Sequence, residues 1–194
     1  MKSMAQQPED TVETDRLPFR AAAASESYSN IAELPVVVLL ENVRSLYNVG
    51  AFFRTADAVR ARGLVLGGIS GHPPQRMISK TALGAEETVR WEHTWDPAAA
   101  IRKLRESAYE IAAIETTPHA LDVFDWQPRF PVCILFGHEA DGLTPESAAL
   151  ADTHIRIPML GRKHSLNVAT AGGVVLYELL RKYRARFSHA HPET

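Results

Sequence analysis

Residues 35–58 read PVVVLLENVRSLYNVGAFFRTADA, and this stretch decides the fold. Its first part is a continuous apolar run, which is typical of a strand buried on both faces of a sheet. Its second part begins a helix in which Phe52, Ala56 and Val59 share one face, with Asn48 as the expected N-cap. A buried strand followed directly by a helix indicates the first unit of an α/β protein.

The alternation of strand and helix continues to about residue 186. Further strands are predicted at residues 63–68, 88–93, 109–115, 132–137 and 154–159. Further helices are predicted at residues 76–83, at 97–107, from 144 and from 165 to about 186, with N-caps at Asp96, Thr144 and Ser165. Continuous apolar strands separated by helices favour an α/β fold, in which a mostly parallel sheet is flanked by helices on both faces.

The N-terminal part of the chain differs in composition from the rest. Residues 1–33 are rich in small and polar residues, and only residues 17–24 suggest a short helix. We therefore predict a flexible tail over residues 1–33 and a single domain over residues 34–194. The tail is acidic, unlike a transit peptide, and has no signal-peptide pattern, so we expect a cytoplasmic protein.

The overall composition is that of a globular protein, with 45% hydrophobic and 23% charged residues. No apolar run approaches the roughly 20 residues of a membrane-spanning helix, so we expect no membrane partner. The net charge of −2 gives no support for nucleic-acid binding on its own. The single cysteine, Cys133, lies inside an apolar run and is expected to pack as a small hydrophobic residue.

Three loops that follow predicted strands combine polar residues with glycines. They read NVRSLYN over residues 42–48, GHEADG over 137–142 and GRKHSLN over 161–167. Ligands of open α/β sheets bind at the carboxyl ends of the strands, so these loops predict a site. The chain has neither GxGxxG nor GxxxxGK[ST], and His138 lacks the second histidine of HExxH, so neither a dinucleotide cradle nor a metal is expected. Free backbone groups at a helix start can instead bind a heterocycle such as adenine.

Arg54 is unusual because it lies among small residues of the first helix. It is about 200° around that helix from Phe52, on the side away from the expected core. One interpretation is a surface arginine that pairs with Asp57 at i,i+3. The other is an arginine whose small neighbours leave room for a ligand or another chain segment, and the pattern alone leaves both interpretations open.

The three loops resemble the three motifs of the SpoU–TrmH family of RNA ribose 2′-O-methyltransferases, within the SPOUT superfamily. The first motif, N-x-R…N-x-G-x-x-x-R-T-A, is matched by Asn42, Arg44, Asn48, Gly50, Arg54, Thr55 and Ala56. The second, F-G-x-E-x-x-G-[LIV], is matched by Phe136, Gly137, Glu139, Gly142 and Leu143. The third, I-P-M-x-G-x-x-x-S-L-N-V, is matched by Ile157, Pro158, Met159, Gly161, Ser165, Leu166, Asn167 and Val168. Departures are confined to His138, where asparagine is frequent, and to residues 170–173.

The resemblance implies a C-terminal trefoil knot that binds S-adenosylmethionine and no metal. The implied cofactor-binding residues are Leu135, Phe136, Gly137, Ile157, Pro158, Met159, Gly161, Ser165, Leu166 and Asn167. The implied catalytic residues are Arg54, Asn48, Glu139, Ser165 and Asn167. Arg54 would activate the ribose 2′-hydroxyl, and Glu139 would orient either Arg54 or the asparagine. Arg54 either accepts the hydroxyl proton or stays cationic and clamps the adjacent phosphate, and both versions stay open.

The implied function is S-adenosylmethionine-dependent methylation of a ribose 2′-hydroxyl in tRNA or rRNA. Of the two RNAs we expect tRNA, because a compact catalytic domain can engage a small structured target alone. The family also implies a homodimer that forms through the knot and the C-terminal helix. Two alternatives remain: a non-catalytic RNA-binding module with a degenerate knot site, and a knotted enzyme that methylates a base.

Overall fold

The computed structural model describes residue 28 and residues 30–188, except for the side chains of residues 187 and 188. Within this part of the chain, seven strands form one sheet in the order β3-β2-β1-β6-β4-β7-β5. Their bounds are β1 Leu34–Glu41, β2 Ala61–Gly67, β3 Trp91–Thr94, β4 Glu110–Ile114, β5 Leu121–Asp122, β6 Val132–Phe136 and β7 Thr153–Arg156. All neighbouring strands pair in parallel, which confirms the predicted sheet.

Helices cover both faces of this sheet, as predicted. They are α1 Leu46–Ala58, α2 Arg76–Ala82, α3 Ala85–Thr88, α4 Pro97–Glu106, α5 Pro145–Ala149 and α6 Val168–Ser188. One core cluster packs α1, α2, α3 and α6 against the sheet, and a second packs α4 and α5 against the other face. Cys133 is fully buried in the second cluster, and burial raises the pKa of its thiol. None of the described helices combines the length and the apolar character needed to cross a bilayer.

Two predicted helix caps are wrong, one by three residues and the other by two. The N-cap of α1 is Ser45, whose Oγ accepts a hydrogen bond from the backbone N–H of Asn48 at 3.3 Å. The start of α6 is capped by Asn167 instead of Ser165, because Asn167 Oδ1 accepts from the N–H groups two and three residues on, at 3.0 and 3.2 Å. Each loop holds several good capping residues, so local propensity cannot choose among them.

Other local predictions agree with the structure. Asp96 and Thr144 cap α4 and α5 through their side chains. Phe52, Ala56 and Val59 are buried and form the core face of α1. The four-residue helix α3 and the two-residue strand β5 were not predicted, since elements this short show no measurable periodicity.

Most of the predicted tail, including the helix expected at 17–24, lies outside the described residues. Its last residues are attached to the domain. Ile31 is buried, and its carbonyl accepts a hydrogen bond from Arg60 Nη1 at 2.9 Å. Glu33 accepts from Arg62 Nε at 2.6 Å. The contacts of the chain divide it between Asn30 and Ile31, three residues before the predicted boundary.

The order of the sheet determines where the three loops meet. Strands β1, β6, β4 and β7 lie side by side and run in the same direction, so their carboxyl ends share one edge. The loops that begin at residues 42, 137 and 157 leave this edge from β1, β6 and β7. The first loop is thereby brought next to two loops that lie about 100 residues further along the chain.

Candidate functional site

Glu139, from the loop after β6, binds the start of α1. Its Oε1 accepts hydrogen bonds from the backbone N–H of Ser45 at 3.2 Å and from Asn48 Nδ2 at 3.0 Å. Its Oε2 accepts from the backbone N–H of Arg44 at 3.3 Å. A carboxylate suits this position, since the first backbone N–H groups of a helix lack partners within the helix and carry partial positive charge.

Asn48 extends this contact to the third loop. Its Oδ1 accepts a hydrogen bond from Asn167 Nδ2 at 3.1 Å, while its Nδ2 donates to Glu139. Asn48 therefore uses both ends of its amide, and this explains why its side chain is not the helix cap. The three predicted residues Asn48, Glu139 and Asn167 form one hydrogen-bonded chain, which joins all three sequence motifs. The structure pairs Glu139 with the asparagine, not with Arg54.

The pKa of Glu139 reflects two opposing effects. Partial burial acts to raise it. The hydrogen bonds from its own backbone N–H, from Asn48 and from the N–H groups of Ser45 and Arg44 favour the charged form and outweigh burial, so the pKa lies below the ordinary value of glutamate. Glu139 is therefore an ionised hydrogen-bond acceptor at neutral pH.

A second carboxylate, that of Glu41, binds the start of α5, which follows the second motif. It is the last residue of β1 and only 2% exposed. It accepts hydrogen bonds from Thr144 Oγ1 and the Thr144 N–H, both at 2.9 Å, and from Ser147 Oγ at 2.7 Å. Glu41 thus holds the start of α5 from the residue directly before the first motif, whereas Glu139 holds the start of α1 from the second motif. Sequence reasoning missed Glu41, although an acid that ends a buried apolar run is a usable signal.

A cavity of about 510 Å³ opens between the loops after β4, β6 and β7 and the start of α6. Seven of the ten residues expected to bind the cofactor line it: Phe136, Gly137, Ile157, Met159, Ser165, Leu166 and Asn167. The other three, Leu135, Pro158 and Gly161, are not among its lining residues. The side chain of Leu135 is instead buried in the core cluster on the α4 and α5 face of the sheet.

The loop after β4 also lines the cavity, and sequence reasoning did not single it out. Glu115, Thr116 and Thr117 face the cavity from this loop. Glu115 Oε1 accepts from the N–H of Leu143 at 3.2 Å, and its Oε2 lies 3.6 Å from His154 Nδ1. The polar run ETT directly after a buried strand was the available signal. The lining residues thus include three carboxylates, those of Glu115, Glu139 and Asp141, and one guanidinium, that of Arg156.

His138 also lines the cavity and turns back onto its own loop. Its Nδ1 accepts hydrogen bonds from the backbone N–H groups of Ala140 and Asp141, at 3.3 and 3.2 Å. Over the described part of the chain, no three His, Cys, Asp or Glu side chains are grouped so that they could hold a metal ion.

Arg54 stands apart from the other predicted catalytic residues. It is exposed on α1, about 9 Å further along the helix axis than Asn48, and does not line the cavity. Its guanidinium has no hydrogen bond or ion pair to any of the described residues. The interpretation of Arg54 as a partner of Asp57 is wrong, because Asp57 Oδ1 accepts from Thr88 Oγ1 at 3.0 Å instead.

One wall of the cavity depends on a glycine. A Cβ atom at Gly172 of α6 would lie 2.2 Å from the ring of Phe52 in α1. The ring of Phe52 in turn packs 5.1 Å, centroid to centroid, from Phe136, which lines the cavity. Gly172 therefore permits the close approach of α6 to α1, whereas a Cβ at Gly173 would meet nothing within 4 Å.

Residues 35–177 match the model of the SpoU rRNA Methylase family. The chain is 33% identical over 163 residues to the tRNA (guanosine(18)-2'-O)-methyltransferase of Escherichia coli strain K12, an alignment that covers 80% of this chain and 69% of that protein. It is 32% identical over 154 residues to the 23S rRNA (guanosine-2'-O-)-methyltransferase RlmB of Shewanella oneidensis, over 79% of this chain and 62% of that protein.

A solved structure shows the same fold. It is the SpoU methyltransferase AviRb from Streptomyces viridochromogenes in complex with the cofactor AdoMet, with a TM-score of 0.68 and 27% identity. The match covers 78% of this chain and 60% of AviRb. The chain thus spans 69% of the length of the first relative and about six tenths of the other two.

Proposed function

This chain belongs to the SpoU rRNA methylase family, and on that premise we propose that it transfers a methyl group from S-adenosylmethionine to a ribose 2′-hydroxyl of RNA. The hydrogen-bonded chain Asn167–Asn48–Glu139 carries the proposal, because it joins the three motifs beside one cavity. Two of its members, Glu139 and Asn167, line that cavity. Only RNA has a 2′-hydroxyl, so the reaction defines the class of substrate.

The cavity suits S-adenosylmethionine in size and charge. Its volume of about 510 Å³ lies within the range of small-molecule sites. The carboxylates of Glu115 and Asp141 match the positive charges of the ligand, which supplies an activated methyl group when bound. We propose that the seven lining residues named above hold it. Leu135, Pro158 and Gly161 would act only by shaping the loops on which those residues lie.

The ribose hydroxyl must lose its proton or be strongly hydrogen-bonded before it can attack. We assign this activation to Arg54. The side chains that would orient the ribose and S-adenosylmethionine are those of Asn48, Glu139, Ser165 and Asn167. The pKa of a free arginine exceeds about 12, so a cation that clamps the neighbouring phosphate is one version and transient proton acceptance is the other. Both versions require Arg54 to reach the cavity.

A homodimer would bring Arg54 to a cavity. Arg54 shares the outer side of α1 with Ala51 and Ala58, three residues before and four after it. On the adjacent helix α6, Thr170, Val174 and Tyr177 share one face, and none of the three is buried. We propose that α1 and α6 pack against a second copy, so that Arg54 of one subunit serves the cavity of the other. The C-terminal trefoil knot is part of the same proposal and rests on the family resemblance.

We propose tRNA as the RNA substrate in preference to rRNA. The alignment covers 69% of the tRNA methyltransferase of Escherichia coli but 62% of the rRNA methyltransferase of Shewanella oneidensis, so the tRNA enzyme has less sequence outside the shared part. A shorter enzyme fits a small structured RNA that one domain can engage. A cytoplasmic location follows from the same substrate, and both remain predictions.

The proposed reaction is tested by incubating the protein with methyl-labelled S-adenosylmethionine and bulk tRNA or rRNA, followed by nuclease digestion and nucleoside mass spectrometry. We expect label on ribose, in tRNA above rRNA, and a loss of label in Asn48→Ala. Label found only on bases would show that the protein is instead a knotted enzyme that methylates a base. Binding of the ligand without transfer to any RNA would assign a non-catalytic module.

A further inference from the structure

Four aromatic side chains form a row along the outer strand of the sheet. Trp91 and His93 share one face of β3, and Trp95 occupies the next alternate position, one residue past the end of the strand. His72, from the loop after β2, stacks on Trp91 at 6.1 Å and lies 4.6 Å from His93, centroid to centroid. His93 lies 4.7 Å from Trp95. We call Trp91, His72, His93 and Trp95 the aromatic row.

The aromatic row is anchored at one end and open at the other. Trp91 meets the buried ring of Phe53 edge-on at 6.4 Å. The two histidines are fixed by carbonyl oxygens, with His72 Nδ1 2.8 Å from the oxygen of Pro73 and His93 Nε2 3.0 Å from that of Gly68. At the open end, the indole of Trp95 is 78% exposed. Trp95 continues a row of aromatic side chains into solvent, and contiguous exposed apolar surface of this kind is typical of binding sites.

The aromatic row lies on the same edge of the sheet as the three motifs. Glu41, Gly67 and Thr94 are paired across β1, β2 and β3, so the three strands end together. Two strand spacings, about 10 Å, separate the ends of β1 and β3. Asn42 of the first motif also accepts a hydrogen bond from the N–H of Ile69, in the loop that carries His72, at 3.1 Å.

We propose that the aromatic row is a stacking platform for an unpaired nucleobase of the RNA substrate, close to the nucleotide that is methylated. This inference rests on the proposed function. Proteins that read single-stranded RNA commonly stack its bases on aromatic rings, because every base has an aromatic face. Each histidine donates one ring N–H to a carbonyl, so in the neutral form its other nitrogen can accept a hydrogen bond from a base amino group.

Two basic residues on the helix that follows the loop of His72 match the phosphate backbone of such a strand. Arg76 and Lys80 are exposed and lie four residues apart on α2, which follows the loop that carries His72. Side chains at this spacing lie on the same side of a helix. The combination of a stacking surface with nearby cations is typical of proteins that bind single-stranded nucleic acids. The substrate class is therefore an RNA whose target nucleotide lies in a loop with unpaired neighbours.

The proposal is tested with Trp95→Ala in the full chain, with Trp95→Phe as the conservative variant. We expect Trp95→Ala to raise KM for RNA roughly 5- to 150-fold, because the variant loses the stacking of one base. Its affinity for S-adenosylmethionine should not change. Trp95→Phe should recover most of the loss. The matched control is Phe124→Ala, which removes a ring that is 56% exposed and follows β5 at the opposite edge of the sheet.

A binding measurement separates this inference from the proposed reaction. Addition of a short poly(A) strand should quench the tryptophan emission of the wild type, and Trp95→Phe should lose most of that quenching. Arg76→Ala with Lys80→Ala should reduce the salt dependence of the same affinity. Equal affinity of Trp95→Ala and Phe124→Ala for poly(A) overturns the proposal, whether or not the enzyme transfers methyl groups. A Trp95→Ala variant that loses self-association but keeps its RNA affinity would assign the aromatic row to a contact between copies.

Discussion

Asn48 shows why a motif residue can be identified from sequence while its role cannot. Asparagine is among the best helix caps, and its place before an apolar helix therefore predicts a cap. In the structure Ser45 takes the cap, and the Asn48 amide joins Glu139 to Asn167. Those two partners are 91 and 119 residues away, so no local pattern could indicate them. The partners of Glu41 are equally remote, because its three hydrogen bonds all reach across more than 100 residues.

The role of Arg54 is tested by a substitution that keeps the charge and removes the planar fork. We expect Arg54→Lys to lower kcat/KM for methyl transfer about 10- to 100-fold, since lysine cannot replace a bidentate arginine contact to phosphate. The affinity for S-adenosylmethionine should not change, because the proposed partners of Arg54 are the ribose hydroxyl and the neighbouring phosphate of the RNA. Arg102→Lys, at an exposed arginine on α4, is the matched control. Transfer by Arg54→Lys at the wild-type rate would remove Arg54 from the catalytic group.

The hydrogen bonds of Glu139 make a prediction about pH. Its pKa is lower in the folded protein than in the unfolded chain, so its contribution to stability is present above the unfolded value, about 4.3, and is lost as the pH falls through the folded value. We expect the difference in free energy of unfolding between the wild type and Glu139→Gln to be constant near neutral pH and to shrink in acid. Urea unfolding at a series of pH values measures this difference. A difference that stays constant down to strongly acidic pH would show that the Glu139 hydrogen bonds do not depend on its charge.

At the scale of elements, the long strands and helices follow from the sequence because their periodicity extends over many residues. Strand β1 is buried over its whole length, as a central parallel strand should be. The ends of elements are less predictable, since β7 stops at Arg156 and leaves Ile157–Met159 of the third motif in the loop. This position allows Ile157 and Met159 to line the cavity. A strand that continued through them would direct their backbone groups to the sheet instead.

The packing of α6 against α1 makes a prediction with an internal control. Gly172→Ala should destabilise the fold by about 1–3 kcal/mol, because the added carbon overlaps the ring of Phe52. It should also weaken S-adenosylmethionine binding, since Phe52 packs on Phe136 at the cavity wall. Gly173→Ala has open space and should gain up to about 1 kcal/mol of helix propensity. Thermal unfolding at several protein concentrations measures both effects and separates any contribution of subunit contacts. Equal stabilities of the two variants would contradict the tight contact at Gly172.

At the scale of the whole molecule, the order of the sheet assembles the site. Strand order cannot be read from the periodicity of single strands, yet it brings β1, β6, β4 and β7 together and so creates the cavity. The pattern already predicted that the three strand-end loops form a site, and the resemblance to a known family supplied the roles of their residues. Its implied catalytic residues fall into two sets, one hydrogen-bonded or lining the cavity and the other, Arg54, exposed on α1. The second set is the reason for proposing a site shared between two subunits.

A shared site can be detected by mixing inactive variants. If Arg54 serves the cavity of the partner, subunits with Arg54→Ala and subunits with Asn167→Ala should be inactive alone and regain activity when refolded together. Each mixed dimer then holds one cavity with an intact Asn167 and an intact Arg54 from the other subunit. Methyl transfer to RNA after co-refolding measures the recovery, which should approach a quarter of the wild-type rate. No recovery above the separate variants would place Arg54 and its cavity in the same subunit.

The central claim is that this protein methylates a ribose 2′-hydroxyl of RNA through Arg54 and the three joined motifs. It is tested most directly by mapping 2′-O-methylated nucleotides in RNA from cells that lack the protein and from matched wild-type cells. We expect at least one ribose methylation, in tRNA, to be missing, and to return with the wild-type gene but not with Arg54→Ala. Ribose methylation that is complete in cells lacking the protein, or a loss confined to methylated bases, would contradict the claim.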